Sequence, residues 1–417
     1  MEKQVEKRAQ IDELLTAKKL QWFAKNMAIA YLAIWGLMVM TGPGLVDSQG
    51  RPKGTDYLAL YAAGRMAVRD AAASAYSMKD LHKERMSVIP KIAPKKLGVS
   101  VWPYPPPYFF VAAPLAMLPY LLGYVLWVSV TLLIYLRVLY RWHPSKLTIW
   151  AVLAAPAVFM NFAQGQTGFM IGAILAGGLL LLDKRPFAAG LVMGLLIFKP
   201  QFAVAPFLVL LLVGNWRAIC GGIVSAGALS LASIPAFGTA SWVGMMQGLS
   251  SSMAGVSKAV DPLHKYATVL GFGRLLGLPD WLAWGLQGAV ALAALVVMLQ
   301  IWRRTGSVYY RAASLTAGVF LMTPYAHDYD MAVLLLGLIA LGVEMTRGVP
   351  AKRWEKLVLL ANYATPIAAP AVAMVTKVQL MPLGVIVLLW LIYRRVKEEV
   401  AAGAPDAAAP AENLARA

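Results

Sequence analysis

A single cysteine in 417 residues, Cys220, rules out an intrachain disulfide and any cysteine-based metal cluster. Set in an apolar helix, it is expected to be a small buried residue. Histidine is nearly as scarce, with 4 in the chain. His82, His143, His264 and His327 fall in separate segments, a spacing that supports neither a zinc site nor a Ser/His/Asp triad. A GxxxxGK[ST] phosphate loop is absent, and "GFGRLLG" at 271–277 lacks the strand-turn-helix setting of a nucleotide loop. Neither a nucleotide-binding domain, a cofactor nor a metal is expected. Charge is thin too: 14% of residues are charged against 59% hydrophobic, and the mean hydropathy of +0.64 lies outside the range of soluble globular proteins.

What is there instead is a succession of apolar runs separated by basic turns. Spans are expected near 25–46, 120–140, 147–163, 168–182, 186–198, 202–214, 217–236, 281–302, 311–326, 330–346, 357–375 and 381–393. That makes about twelve transmembrane helices in an all-α polytopic membrane protein. Several runs are short and broken by Gly or Pro, which lipid tolerates only where neighbouring helices or a wet cavity satisfy the freed backbone groups. Residues 1–22 read as a cytoplasmic amphipathic helix, 23–396 as one polytopic membrane domain, and 397–417 as a disordered Ala/Pro-rich cytoplasmic tail. Within the domain, 47–119 form an outer loop with interfacial helices and a proline-rich re-entrant segment.

The net charge of +18 is spread over short turns rather than gathered into a stripe with interleaved aromatics, so it fits orientation in a membrane and not nucleic-acid binding. "RVLYRWHPSK", "DKR", "NWR", "RRTGSVYYR", "TRGVPAKRWEK" and "YRRVKEE" fall on one side of the predicted spans, which the positive-inside rule makes cytoplasmic, together with both termini. The unusual polar motifs then face outward. Nothing in the sequence fixes an oligomeric state.

Five of those motifs carry candidate chemistry. In "TDYLALYAAGR" the apolar spacing predicts a helix on the membrane surface, with Asp56 at its start. Asp56 is either the helix N-cap, a role Thr55 fills equally well, or a general base at the water-lipid boundary. In "VWPYPPPYFF", Trp102, Tyr104 and Tyr108 are either interface anchors or the wall of a groove for a lipid chain or sugar ring. "NFAQGQTGF" offers Asn161, Gln164 and Gln166, neutral groups suited to hydroxyls, in what is otherwise an ordinary helix-helix turn. In "LIFKPQF", Lys199 and Gln201 lie between apolar runs, where an ammonium either snorkels to headgroups or meets an anion such as phosphate. In "MTPYAHDYDM", one of Asp328 and Asp330 suffices to cap the following helix. His327 with both aspartates, Tyr325 and Tyr329 exceeds what a cap requires.

The order "TDYLALYAAGR", "WPYPPPYFF", "GQTGF", "FKPQF", "PYAHDYDM", from about Asp56 to Ala340, resembles the family-87 glycosyltransferases of the GT-C superfamily, once catalogued as a domain of unknown function. A mycobacterial phosphatidylinositol-mannoside mannosyltransferase is the best-known member of that family. The resemblance implies a GT-C-type fold in a bacterial cytoplasmic membrane, with the active site on the periplasmic face. It also implies transfer of a hexose, typically mannose, from a polyprenyl-phosphate sugar to a lipid-linked or glycan acceptor, with inversion. Matched residue by residue, it makes Asp56 the general base and His327 a contact of the donor phosphate. Lys199 suits the leaving phosphate on chemical grounds, because a cation stabilises the charge that develops there. Thr55, Trp102, Tyr104, Gln164, Gln166, Gln201, Tyr325, Asp328 and Asp330 complete the expected substrate contacts. The alternative reading, a lipid or polyisoprenoid transporter, predicts paired inverted repeats and ionisable groups at the bilayer midplane, and neither is evident.

Overall fold

The computed structural model describes residues 17–90, 92–98, 101–255 and 263–402, and these form helices without a named β-strand. Lipid offers no hydrogen-bond partners to the backbone, and a helix satisfies its own. Helices form at every expected apolar run, but not all are long enough to count as candidate spans. Six are long and apolar enough to cross a membrane: Lys18–Thr41, Tyr120–Trp142, Trp216–Phe237, Asp280–Arg304, Asp328–Arg347 and Arg353–Thr376. Counting one bent pair as a single span raises the number among the described residues to seven, so the chain is a multi-pass membrane protein, and the twelve spans that hydropathy suggested are not confirmed.

The difference has local causes. The run at 147–163 is two helices, Lys146–Leu153 and Pro156–Gln164, bent by 57° where Pro156 starts the second. Gly168–Leu181, Pro186–Phe198 and Pro200–Leu212 are shorter apolar pieces, the first largely buried and the other two partly exposed at Phe187, Val204, Leu211 and Leu212. The last two are separated at Lys199, the residue before Pro200, where the chain leaves helical geometry.

We label α1 Ala17–Thr41, α2 Tyr57–Val68, α3 Phe109–Ala116, α4 Tyr120–Trp142, α5 Pro156–Gln164, α6 Gly168–Leu181, α7 Trp216–Phe237, α8 Val308–Met322, α9 Leu334–Arg347, α10 Arg353–Thr376 and α11 Leu380–Ala401. The expected amphipathic segment at the N-terminus falls mostly on 1–16, outside the described residues. So does 403–417 of the expected tail, whereas 397–401 continue α11.

Three expectations are corrected by packing. α2 does not lie on a surface with one wet face, because all its residues except Arg65 and Val68 are buried. It crosses α3 at Gly64, where an added Cβ would sit 2.2 Å from the Ala112 carbonyl oxygen. Trp102 and Tyr108 are not interface anchors but part of the buried cluster around α2. Cys220 is exposed, on α7.

The bundle has two distinct ends. α4, α6, α8 and α9 each run between a polar cavity and the basic turns. Tyr309 donates to the Trp142 carbonyl at 3.4 Å, Arg311 pairs with Asp183 at 2.9 Å, and Ser307 donates to Glu344. Those contacts gather the basic turns at the end away from the cavity.

Candidate functional site

The opposite end encloses a cavity of about 560 Å³. Its wall takes residues from every motif singled out in the sequence: Thr55 and Asp56, Trp102 and Tyr104, Gln164 and Gln166, Lys199 and Gln201, Tyr325 and His327. Segments more than 270 residues apart in sequence thus face one space. Asp328 and Asp330 do not reach it. Both side chains are fully buried behind the wall.

Asp56 opens α2, yet its side chain makes no capping bond, and neither does that of Thr55. The helix start is held instead by main-chain bonds, with the N–H groups of Ala59 and Leu60 donating to the Asp56 carbonyl. The carboxylate is free for another use. Its Oδ2 accepts from Gln166 Nε2 at 2.7 Å, and its main-chain N–H donates to the Gln164 carbonyl at 3.0 Å. Facing the cavity but surrounded by protein, the carboxyl is pushed up from the ordinary aspartate range by desolvation. The Gln166 hydrogen bond and the charges of His327, Lys265 and Arg85 pull the other way. Among the described residues, no lysine, arginine or histidine forms an ion pair with it.

The turn that carries Gln166 exists because Gly165 adopts the left-handed conformation, φ +73°, at the C-terminus of α5. A side chain there would also strike Tyr57 at 2.6 Å, so Gly165 lets α2 approach closely. Trp127 Nε1 donates to the Gly165 carbonyl at 3.0 Å, and the Tyr124 hydroxyl to that of Phe162 at 2.8 Å.

Lys199 occupies the break before Pro200 and is 4% exposed. Snorkelling is excluded. Its ammonium meets Asp330 Oδ1 at 2.5 Å and lies over the rings of Phe202 and Tyr329, at 5.1 and 5.5 Å from their centroids. The other oxygen of Asp330 accepts from the His327 main-chain N–H at 3.0 Å, closing the 3-10 turn Asp328–Val333. Asp330 therefore ties the Lys199 break to the His327 turn, while Asp328 bonds its neighbour's N–H, on Tyr329, at 2.8 Å. His327 stacks on Tyr329 with centroids 5.2 Å apart and packs against Tyr266 at 4.7 Å. A main-chain bond from Ala267 to Ala326, 2.9 Å, aligns that strand-like contact.

Lys265, Arg51 and Lys53 also line the cavity and were not anticipated. Lys53 is buried, its ammonium bonded to the carbonyls of Gly42 and Gly44 at 3.2 and 2.8 Å. Arg51 and Lys53 lie in a loop and Lys265 ends the 3-10 turn Leu263–Lys265, segments too short or irregular to show apolar periodicity. The pairing of 266–267 with 326–327, which brings Lys265 to the wall, leaves no trace in the local sequence.

The family model for glycosyltransferase family 87 matches residues 102–324, just over half of the chain. No curated protein and no solved structure matches it.

Proposed function

The chain belongs to glycosyltransferase family 87 and is a membrane glycosyltransferase; from that premise we propose that it moves a hexose, mannose first among candidates, from a polyprenyl-phosphate sugar to a hydroxyl of a lipid-linked or glycan acceptor. In this reading Asp56 is the base. The acceptor oxygen attacks the anomeric carbon, its proton passes to Asp56, and the bond from that carbon to the phosphate oxygen breaks on the opposite face, inverting the centre. Charge released on the phosphate meets Lys199, His327 and Lys265. Asp330 holds the Lys199 ammonium by one N–H, which leaves its other donors for phosphate oxygens. Trp102, Tyr104, Gln164, Gln201 and Tyr325 supply the aromatic and amide surface that a sugar needs. By the positive-inside rule the cavity opens on the periplasmic face of the cytoplasmic membrane, opposite the basic turns.

The observation that carries this reading is a cavity-facing carboxylate that does not cap its helix and, among the described residues, forms no ion pair, set in one space with buried Lys199 and His327. The transporter alternative gains no support from the family match. The test is transfer of labelled mannose from polyprenyl-phosphate mannose in vesicles reconstituted with purified protein, comparing wild type with Asp56→Asn. Loss of transfer in a folded variant is expected, and near wild-type transfer overturns the assignment.

A further inference from the structure

Three features at or just behind the cavity wall invite a role beyond those above: the Arg51 and Lys53 loop, the Lys199 and Asp330 pair, and the amide on Asp56. Lys53 already spends its ammonium on two carbonyls, and the Lys199 pair belongs to the phosphate side of the proposed reaction. The amide is different, because it touches the proposed base and is itself fixed from a third, distant segment.

We propose that Gln166 is a positioning residue, locked in one amide orientation by Tyr104, that holds Asp56 ionised and aims its second oxygen at the acceptor hydroxyl. This rests on the reading of Asp56 as base.

The lock begins in the backbone. The Asn161 carbonyl accepts from the N–H groups of both Gly165 and Gln166, at 3.0 and 3.1 Å, and the bond from Asp56 N–H to the Gln164 carbonyl joins this turn to the start of α2. Two methylene groups from that fixed backbone, the amide is oriented by what surrounds its oxygen. The Tyr104 hydroxyl donates to Gln166 Oε1 at 3.3 Å, and the Thr167 main-chain N–H approaches the same atom at 3.4 Å. Turning the amide over would face Oε1 to the Asp56 carboxylate and Nε2 to the Thr167 N–H, with the Tyr104 hydroxyl alone able to change role, so one orientation satisfies every partner.

Tyr104 is rigid in turn. It sits between Pro103 and Pro105, stacks on Tyr108 at 4.4 Å, meets Trp102 edge-on at 5.0 Å, and accepts at its carbonyl from the Tyr76 hydroxyl at 2.9 Å. Burial raises the Tyr104 phenol, which keeps it protonated and a donor.

The chemistry follows from the donor being neutral. A lysine or arginine in place of Gln166 would hold Asp56 ionised but also draw its basicity down strongly. An amide N–H favours the carboxylate over the acid and supplies no charge. With Oδ2 so occupied, Oδ1 takes no partner among the described residues and is the oxygen left for the acceptor proton. The charges that face Asp56 from other segments are those of His327, Lys265 and Arg85, none in ion-pair contact, so Gln166 is its direct partner.

The experiment compares wild type, Asp56→Asn, Gln166→Leu and Tyr104→Phe in the reconstituted transfer assay across pH, with thermal midpoints as a fold check. Gln166→Leu is expected to lower kcat by about 10- to 100-fold, the worth of one hydrogen bond to a charged group, with KM for donor and acceptor nearly unchanged. Its acidic limb moves to higher pH, because the ionised base has lost a donor. Tyr104→Phe moves both readouts the same way and by less. An inactive Asp56→Asn beside a Gln166→Leu with unmoved kcat and pH profile overturns this proposal alone. So does a Gln166→Leu that changes only KM, which makes it a substrate contact. An Asp56→Asn that retains transfer removes the base assignment itself.

Discussion

Asp56 and Glu355 are both carboxylates withdrawn from bulk water, at opposite ends of the same bundle, and the protein treats them in opposite ways. Glu355 opens α10 and is fully buried. Arg394 bonds one of its oxygens, and Arg395 Nη1 the other at 2.8 Å; that oxygen also takes the Lys352 N–H at 2.9 Å. Arg395 reaches on to the Val349 carbonyl and to Glu399, which accepts from the Tyr310 hydroxyl at 2.5 Å. Every charge there is answered by another, and no cavity is needed. Asp56 receives one neutral hydrogen bond and looks into open space. A buried acid that only builds the fold is neutralised, whereas one left short of partners stores reactivity at a cost in stability.

The comparison breaks most sharply on Asp56→Asn. Transfer is expected to fall about 10²–10⁴-fold, the usual worth of a general base. The sign for stability is the reverse. A carboxyl raised on folding binds its proton more tightly in the folded than in the unfolded protein, so between the two pKa values stability falls as pH rises, and at neutral pH the ionised group is a net cost. Removing that charge should leave the thermal midpoint at neutral pH equal to or above wild type. A clear drop would mean that Asp56 is a structural acid like Glu355.

Glu355→Gln is the converse experiment. Stranding Arg394 and Arg395 should cost about 3–5 kcal/mol of stability, while transfer per folded molecule and its pH profile stay as in wild type. A shift in the pH profile without loss of stability would erase the distinction between the two ends.

Lys199→Ala should reduce transfer about 10²–10³-fold, as for loss of one preorganised group at a developing anion, and should also destabilise by stranding Asp330. Adding Asp330→Asn is expected to restore the midpoint without restoring transfer. Recovery of both would make the pair purely structural. His327→Ala should weaken donor use more than acceptor use, read as separate KM and kcat values for each.

The smallest effect is in wild type itself. In the proposed reaction Asp56 works ionised, and its carboxyl is raised, so the acidic limb of transfer should lie above the ordinary aspartate range and fall with the slope of one proton. A limb at or below that range would show the carboxyl to be better solvated or paired than its surroundings imply.

Much of the site was legible in the sequence because charge in an oily chain is costly to place, so Asp56, Lys199 and His327 stand out against their neighbours. Gln166 did not stand out as a partner of Asp56. A neutral amide in a Gly-containing turn looks the same whether it meets a sugar, water or a carboxylate 110 positions away. Asp330 was equally ambiguous, since capping and pairing with Lys199 use the same carboxylate. The count of twelve spans is not confirmed, for a related reason. Hydropathy marks which segments avoid water, and buried helices such as α6 avoid it as completely as lipid-facing ones.

By itself, then, the sequence determined a helical membrane protein with basic turns at one end and ionisable groups in the others, because hydropathy and charge act residue by residue. Tertiary structure alone decided that an apolar helix such as α6 is buried in protein, that α2 is enclosed instead of wetted, and which acid is answered by arginines and which by an amide. Those outcomes depend on what lies within about 3 Å of a side chain, the reach of a hydrogen bond. The neighbours that fill that distance come from segments that only folding brings together.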